Sequence, residues 1–221
     1  DPVYRVGDQI VEGLYKHRNI SKGDARLKAL EIMEKLQIPK ANHVFQQYPH
    51  QLSGGLKQRI VIAIGLCTSP QLLIADEPTT ALDVTVQAQI MRLFLKMTKD
   101  RGIGLLLITH DLGVIAQVSD KIAVMYAGNI VEFGPIKTVF NRPHHPYTRA
   151  LLNCIPTIGM KKGALDAIYG NVPTVGNYPE GCRYQPRCPD RFEPCETVVP
   201  ELTELGPNTR VACHKYKGNE A

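Results

Sequence analysis

Two adjacent carboxylates and a histidine follow two separate apolar runs of the sequence. Asp76 and Glu77 come directly after the run Leu-Leu-Ile-Ala, and His110 comes directly after a second run that ends at Thr109. Such runs predict buried strands of a parallel sheet, whose carboxyl ends meet at the edge where open α/β sheets bind ligands. At that edge Asp76 is suited to hold Mg²⁺, Glu77 to polarise an attacking water, and His110 to contact a γ-phosphate.

A serine and two glycines, Ser53, Gly54 and Gly55, stand at a predicted helix start, in a Leu-Ser-Gly-Gly-Leu-Lys-Gln run that ends at Gln58. Backbone N–H groups and the helix dipole make such a start an anion site, and glycine lets a phosphate approach closely. Each feature alone has a simpler interpretation. A serine before two glycines is more often a simple helix cap, and the same holds for Asp83. An Asp-Glu pair after a strand is more often part of a solvated loop. A lone histidine is more often a residue near the core.

Four of the six cysteines lie in the last fifth of the chain, at Cys182, Cys188, Cys195 and Cys213. In a cytosolic protein this clustering favours metal binding over disulfides. Four thiolates suit a 4Fe-4S cluster or a tetrahedral zinc ion, and the spacings are wider than those of zinc ribbons. Iron–sulfur is therefore favoured, with zinc and unligated thiols as alternatives. Cys67 and Cys154 are expected to be buried structural thiols.

The composition is that of a folded globular protein, with 221 residues, 43% hydrophobic and 21% charged. The longest apolar run, from Ile60 to Cys67, is far shorter than the roughly 18 residues that span a bilayer, and the first residues do not resemble a signal peptide. The sequence therefore predicts a cytoplasmic location with at most peripheral membrane association. The net charge of +5 comes from scattered residues, so nucleic-acid binding is not expected.

Hydrophobic periodicity predicts the elements that position these residues. Helices are predicted over 6–16, 21–36, 53–67 and 84–99, and strands over 72–75, 105–109, 121–126 and 130–133. The alternation of helices and strands predicts a parallel sheet with crossover helices, and the Ala-Gly-Asn run at 127–129 predicts a hairpin between the last two strands. The Pro-rich tail is predicted to be irregular and to need a metal staple.

In this order and spacing the motifs resemble those of the ATP-binding cassette (ABC) ATPases. The run ending at Gln58 resembles the signature loop, 72–77 the Walker B strand, 81–83 the D-loop, and His110 the switch histidine. The resemblance implies an α/β fold with an ABC-type ATPase core, a helical signature subdomain and an irregular cysteine-rich C-terminal extension. The expected boundaries are 1–52 for a partial helical subdomain, 53–135 for the core and 136–221 for the extension.

The resemblance also implies a head-to-tail dimer with a second ABC ATPase subunit. Ser53, Gly54 and Gly55 would then contact an ATP molecule gripped by the partner, with Gln58 and Asp83 at the same contact. Asp76 would hold the Mg²⁺ of the chain's own site, where Glu77 and His110 would be the catalytic residues.

The segment from Arg142 to Leu152, which contains His144 and His145, is similar to the one that follows the cassette in oligopeptide and dipeptide importers. This resemblance implies ATP-driven import through an integral membrane permease, an indirect extracytoplasmic peptide-binding partner, and a peripheral position on the cytoplasmic side of the cell membrane. It also points to a 4Fe-4S cluster. The stretch from Val3 to Tyr15 is expected to touch the permease, whereas no chemistry is assigned to the two histidines.

The dipeptide Gly-Lys is absent from the sequence, so the G-x-x-x-x-G-K-S/T phosphate loop is missing. We interpret the sequence as truncated at the N-terminus, and we expect the isolated chain neither to bind ATP tightly nor to hydrolyse it. Two alternatives are a cassette ATPase acting on DNA or ribosomes, and a metal-binding or electron-transfer module with a vestigial cassette. The DNA enzymes carry long coiled coils, whereas this chain has no sustained heptads.

Overall fold

The computed structural model describes residues 1–17, 20–79, 84–155 and 167–216. The chain divides into two compact units, residues 1–110 and residues 111–221. Within the described ranges, no helix is both long enough and apolar enough to cross a membrane.

The first unit combines helices with a two-stranded sheet. Its elements are α1 (Val6–His17), α2 (Lys22–Lys35), α3 (Ala41–Phe45), α4 (Gly54–Cys67), β1 (Leu72–Asp76), α5 (Val84–Asp100) and β2 (Gly104–Ile108). Helix α1 buries Val6, Ile10 and Leu14 completely, as expected for apolar residues that recur every four positions on one face. The hydroxyl of Ser21 accepts the Asp24 N–H and caps α2. The predicted helices of this unit are confirmed.

Strands β1 and β2 pair in parallel, in a register that runs from Leu72 opposite Gly104 to Asp76 opposite Ile108. The predicted parallel pairing is confirmed, but the prediction that the first strand, 72–75, is buried is wrong. Four apolar side chains remain 46 to 60% exposed: Leu72, Ile74, Leu106 and Ile108. The reason is that a parallel sheet is buried only where both of its faces are covered, and one face of this pair is not.

The second unit is built around an antiparallel sheet. Its elements are α6 (Leu112–Val118), β3 (Lys121–Tyr126), β4 (Asn129–Pro135), α7 (Ile136–Asn141), α8 (Pro146–Asn153), α9 (Pro194–Thr197), β5 (Thr203–Gly206) and β6 (Thr209–Val211). The strand order is β3-β4-β6-β5. Ala127 and Gly128 both have positive φ, as a tight hairpin turn requires, so the predicted hairpin is confirmed. The prediction that β3 joins the parallel sheet is wrong, because β3 pairs with β4.

The cysteine-rich tail is less irregular than its sequence predicts. Residues 203–211 form β5 and β6, and Val211 pairs with Glu132 of β4, so the tail completes the sheet. Tyr184, which is 2% exposed, packs in one apolar cluster with Tyr126 and Val131 of the hairpin. Periodicity missed this arrangement because the tail strands are only three and four residues long.

Candidate functional site

The ends of β1 and β2 bring Glu77 and His110 together. The N–H of Glu77 donates to the Ile108 carbonyl at 2.8 Å, which continues the pairing one residue past the end of β1. Nδ1 of His110 lies 3.0 Å from Oε1 of Glu77, within hydrogen-bond distance. The side chains are 79% exposed for His110 and 45% for Glu77, so water can reach the pair. The carboxylate is therefore held by an imidazole and open to a ligand.

Glu77 adopts a left-handed backbone conformation, with φ of +44°. For a residue with a Cβ this conformation costs on the order of 1–3 kcal/mol, and such strain is typical of functional sites. It begins immediately after Asp76, the last residue of β1. The site thus carries two adjacent carboxylates, the first in the strand and the second in the turn that follows it.

The predicted anion site lies at the start of α4. Ser53 occupies the N-cap position in an extended conformation, but its side chain makes no cap hydrogen bond. Ser53 and Gly54 are exposed, whereas Gln58 is half-buried one turn further along. A Cβ on Gly55 would lie 3.0 Å from a methyl group of Val86, so this glycine allows close packing against α5. The helix start is therefore accessible, as an anion site requires. Asp83 lies outside the described residues.

All four tail cysteines line one small cavity in the second unit. The other residues of its wall include His145, Tyr184, Asp190 and His214. The N–H of Cys182 donates to the carbonyl of Cys195 at 2.9 Å. A Cβ on the preceding residue, Gly181, would lie 2.3 Å from the same carbonyl oxygen, so only glycine permits this approach. The tail thus brings together cysteines that are up to 31 positions apart in sequence, from 182 to 213.

Burial governs the protonation of these thiols. It raises the pKa of Cys182 and Cys213, and it raises the pKa of Cys188 to about 11. In each of the three, a backbone hydrogen bond from the residue two positions further along the chain opposes this shift. Such N–H groups stabilise the thiolate form. Cys182, Cys188 and Cys213 are therefore neutral thiols near pH 7, each with a backbone N–H that favours its thiolate form.

The cavity does not have the finished geometry of a single-ion site. Within the described part of the chain, no group of three or more His, Cys, Asp or Glu side chains is arranged to hold a metal ion. The four cysteines are free thiols in the structure. The structure thus brings the four predicted ligands to one cavity without specifying what they bind.

The other two cysteines differ from each other. Cys67 is 4% exposed and its Sγ lies 3.0 Å from the Ile64 carbonyl, so the prediction of a buried thiol is confirmed. Cys154 is only half-buried, and the same prediction is wrong for it. It stands at the C-cap of α8, where the apolar face of the helix ends.

Glu132 is a buried residue that the sequence analysis missed. It is completely buried in β4, and its two carboxylate oxygens accept the N–H groups of His144 at 2.8 Å and His145 at 3.0 Å. Nδ1 of His144 also lies 3.3 Å from Oε1. The carboxylate thus fixes the turn that precedes α8. The one signal in the sequence was a charged residue between Val131 and Phe133 in a predicted strand.

Replacing Glu132 with Gln should lower the free energy of unfolding by about 1–3 kcal/mol, because the amide oxygen can accept one of the two buried N–H groups while the amide nitrogen cannot accept the other. Urea unfolding followed by circular dichroism measures this change. The matched control is Glu204→Gln, because Glu204 lies exposed on β5 of the same sheet and should tolerate the change. Equal unfolding midpoints for Glu132→Gln and the wild type would show that the carboxylate does not hold the turn.

Two protein-family models match separate parts of the chain. The family model "ABC transporter" matches residues 3–80, and the model "Oligopeptide/dipeptide transporter, C-terminal region" matches residues 131–195. The oligopeptide transport ATP-binding protein AppD of Bacillus subtilis is 45% identical over 217 residues, which cover 98% of this chain and 66% of AppD. The dipeptide transport ATP-binding protein DppD of the same organism is 46% identical over 213 residues, which cover 96% of this chain and 64% of DppD.

A solved structure supports the fold. The dimeric bacterial ABC transporter cassette MJ0796 matches with a TM-score of 0.54 and 28% identity, over 62% of this chain and 58% of that one. The predicted ABC-type α/β fold is thereby confirmed for the cassette part. The chain spans about two thirds of the length of AppD and DppD. It belongs to the ABC transporter family, and its second unit carries the C-terminal region of the oligopeptide and dipeptide transporters.

Proposed function

We propose that the chain is part of the ATP-hydrolysing subunit of an importer for oligopeptides or dipeptides. The observation that carries this proposal is the Glu77–His110 pair, 3.0 Å apart at the carboxyl edge of two parallel strands in a chain of the ABC transporter family. A nucleotide bound at this edge would present its γ-phosphate to both side chains.

In the proposed reaction, Glu77 accepts a proton from the water that attacks the γ-phosphorus, while the bond to the β–γ bridging oxygen breaks and ADP leaves with that oxygen. His110, in its protonated form, donates one N–H to Glu77 and the other to a γ-phosphate oxygen. Asp76, which is exposed at the end of β1, would hold the Mg²⁺ ion, which would offset the charge of the phosphates. The contact between Glu77 and His110 supports this division of roles, because His110 pairs with the carboxylate proposed to accept the proton.

A second subunit completes the proposed site. Its Ser53, Gly54 and Gly55 would contact the nucleotide from the opposite side, with Gln58 and Asp83 at the same interface. The Ser53 side chain supports this role, since it makes no capping hydrogen bond to its own helix, α4.

The four tail cysteines would hold the proposed metal cofactor, a 4Fe-4S cluster, with a zinc ion as the alternative. Their shared cavity, their wide spacing in sequence and the backbone N–H groups that oppose the rise in thiol pKa support this proposal. When bound, the cofactor would cross-link Cys182 to Cys213 and add folding free energy to a tail with short strands.

We also propose a peripheral position on the cytoplasmic side of the cell membrane, against an integral permease that receives peptides from an extracytoplasmic binding protein. The segment from Val3 to Tyr15 is the proposed permease contact. Val3 and Tyr4 are 72% and 59% exposed, which suits a surface awaiting a partner. Functionally, the chain is proposed to comprise a partial helical subdomain (1–52), the ATPase core (53–135) and the extension (136–221).

Steady-state ATP hydrolysis by the full-length subunit, assembled with its permease in proteoliposomes, tests this function. We expect Mg-ATP turnover that rises when a peptide-loaded binding protein is added and is unchanged by DNA or ribosomes. Turnover that responds to DNA or ribosomes, and not to the loaded binding protein, would contradict the proposed transport role.

A further inference from the structure

We propose that Arg59 is a positioning residue for the run from Leu52 to Gln58, which we call the signature run. Its guanidinium holds the start of α4 in the orientation in which this run would meet the nucleotide of a second subunit. This inference rests on the proposed function, because it requires that the signature run contacts ATP across a dimer.

Arg59 ties α4 to the end of a neighbouring helix. Its Nη1 donates to the backbone carbonyl of Leu36 at 2.6 Å. Leu36 is the C-cap residue of α2 and is completely buried, and Arg59 is half-buried, so little water competes for this contact. Hydrogen bonds from an ionised donor are stronger than neutral ones, so this contact is a firm link between α4 and α2.

The way α2 ends explains why the carbonyl of Leu36 takes a donor from another helix. Gln37 adopts a left-handed backbone, with φ of +55°, and closes α2. In this turn its N–H and that of the next residue donate to the carbonyls of Glu34 and Met33. A helix supplies no N–H of its own to its C-cap carbonyl. Arg59 supplies one, together with a positive charge that is favourable at the C-terminal end of the helix dipole.

Arg59 lies close enough to the signature run to set the orientation of the helix start. It follows Gln58 directly, and it stands about 9 Å along the helix from Ser53. The side chain of Ser53 makes no cap hydrogen bond, so it does not hold the helix start itself. Ile60 and Ala63 are buried on the same helix, but apolar packing is non-directional, whereas a hydrogen bond prefers a defined angle. The bond from Arg59 is therefore suited to orient the start of α4.

The contact with α2 distinguishes positioning from direct binding of ATP. Ser53 and Gly54 are exposed at the helix start, whereas Arg59 is half-buried and its guanidinium is directed at the carbonyl of Leu36. Arg59 thus acts on a nucleotide through the helix that it holds.

Three variants separate the loss of this link from a general loss of stability. Arg59→Met removes the donor and keeps a long unbranched side chain, and Arg59→Lys keeps a positive charge with N–H donors. The matched control is Arg101→Met. Nη1 of Arg101 donates to the carbonyl of Leu66 at 3.3 Å, so this control removes the same kind of bond at the other end of α4.

Amide hydrogen exchange of the full-length subunit measures how firmly the helix start is held, without nucleotide. The first turn of α4 includes the bond from the Lys57 N–H to the Ser53 carbonyl at 2.9 Å. We expect amides 57–60 to exchange about tenfold faster or more in Arg59→Met, the usual effect of losing a hydrogen bond to a charged group. Arg59→Lys should lie between Arg59→Met and the wild type, and Arg101→Met should match the wild type over 57–60.

ATP-driven dimerisation measures the effect on the proposed site. The same variants are placed in a Glu77→Gln subunit, where hydrolysis is expected to be absent, and dimerisation is followed by size-exclusion chromatography with Mg-ATP. We expect Arg59→Met to weaken dimerisation about tenfold or more while the ATP affinity of the monomer is unchanged, because the signature run would contact only the partner's nucleotide. Arg101→Met should dimerise as its parent does.

Several outcomes would overturn the inference and leave the proposed function intact. These are equal exchange and dimerisation in Arg59→Met and Arg101→Met, a loss of monomer ATP affinity in Arg59→Met, or no gain from Arg59→Lys over Arg59→Met. If Arg59→Met did not fold, Arg59→Lys would decide, and wild-type exchange and dimerisation in that variant would overturn the role. Failure of the parent Glu77→Gln subunit to dimerise with ATP would contradict the proposed function as well.

Discussion

Replacing Glu77 with Gln in the full-length subunit should lower ATP turnover by about a hundredfold or more, the usual effect of losing a general base. The amide oxygen can still accept the hydrogen bond that His110 donates across 3.0 Å, so the local geometry is kept, but the amide cannot take a proton from water. ATP-driven dimerisation should therefore persist while hydrolysis stops. Phosphate release measures hydrolysis, and size-exclusion chromatography with Mg-ATP measures dimerisation.

The companion variant Asp76→Asn distinguishes the two carboxylates. It should raise the Mg²⁺ concentration required for half-maximal turnover, since the proposed role of Asp76 is to hold the metal ion. If Glu77→Gln kept more than about a tenth of wild-type turnover, the loss would be smaller than that of a general base, and another residue would have to activate the water.

Replacing any one of the four tail cysteines with Ser should abolish metal retention and loosen the tail. A serine hydroxyl is a poor substitute for a thiolate as a metal ligand. The proposed cofactor would cross-link the tail segments whose cysteines line the cavity, so its loss should loosen them. For Cys188→Ser we expect loss of the broad visible absorption of iron–thiolate bonds, and faster cleavage of the tail in limited proteolysis.

The controls are Cys67→Ser and Cys154→Ser, because neither residue lines the cavity and both variants should keep the metal. If anaerobically purified wild-type protein were colourless and contained stoichiometric zinc, the proposed cofactor would be zinc and not the iron–sulfur cluster. Wild-type protein with neither metal and a protease-resistant tail would contradict both assignments.

The neighbourhood of Glu77 and His110 was predictable because it depends on local rules. Two apolar runs separated by an amphipathic helix predict parallel strands, and parallel strands place the residues that follow them at one edge. The structure indeed puts the two side chains 3.0 Å apart. The left-handed backbone at Glu77 was not predictable, because a glutamate gives no signal for positive φ.

Features that depend on contacts distant in sequence were missed. A continuous apolar run such as Leu72 to Ala75 predicts burial on both faces, but exposure depends on what covers the sheet. Glu132 looks like a surface residue until its partners at 144 and 145 are known. Cysteine spacing indicated a common site, and the structure places all four tail cysteines in the wall of one cavity.

The most direct test of the central proposal is ATP-driven uptake of a labelled oligopeptide into proteoliposomes that contain the permease and the full-length subunit. Peptide should accumulate inside the vesicles when Mg-ATP is enclosed in them and the binding protein is present outside. Accumulation should fall to background with Glu77→Gln. Peptide accumulation of equal rate and extent in the Glu77→Gln vesicles, or none in wild-type vesicles that hydrolyse ATP, would contradict the account.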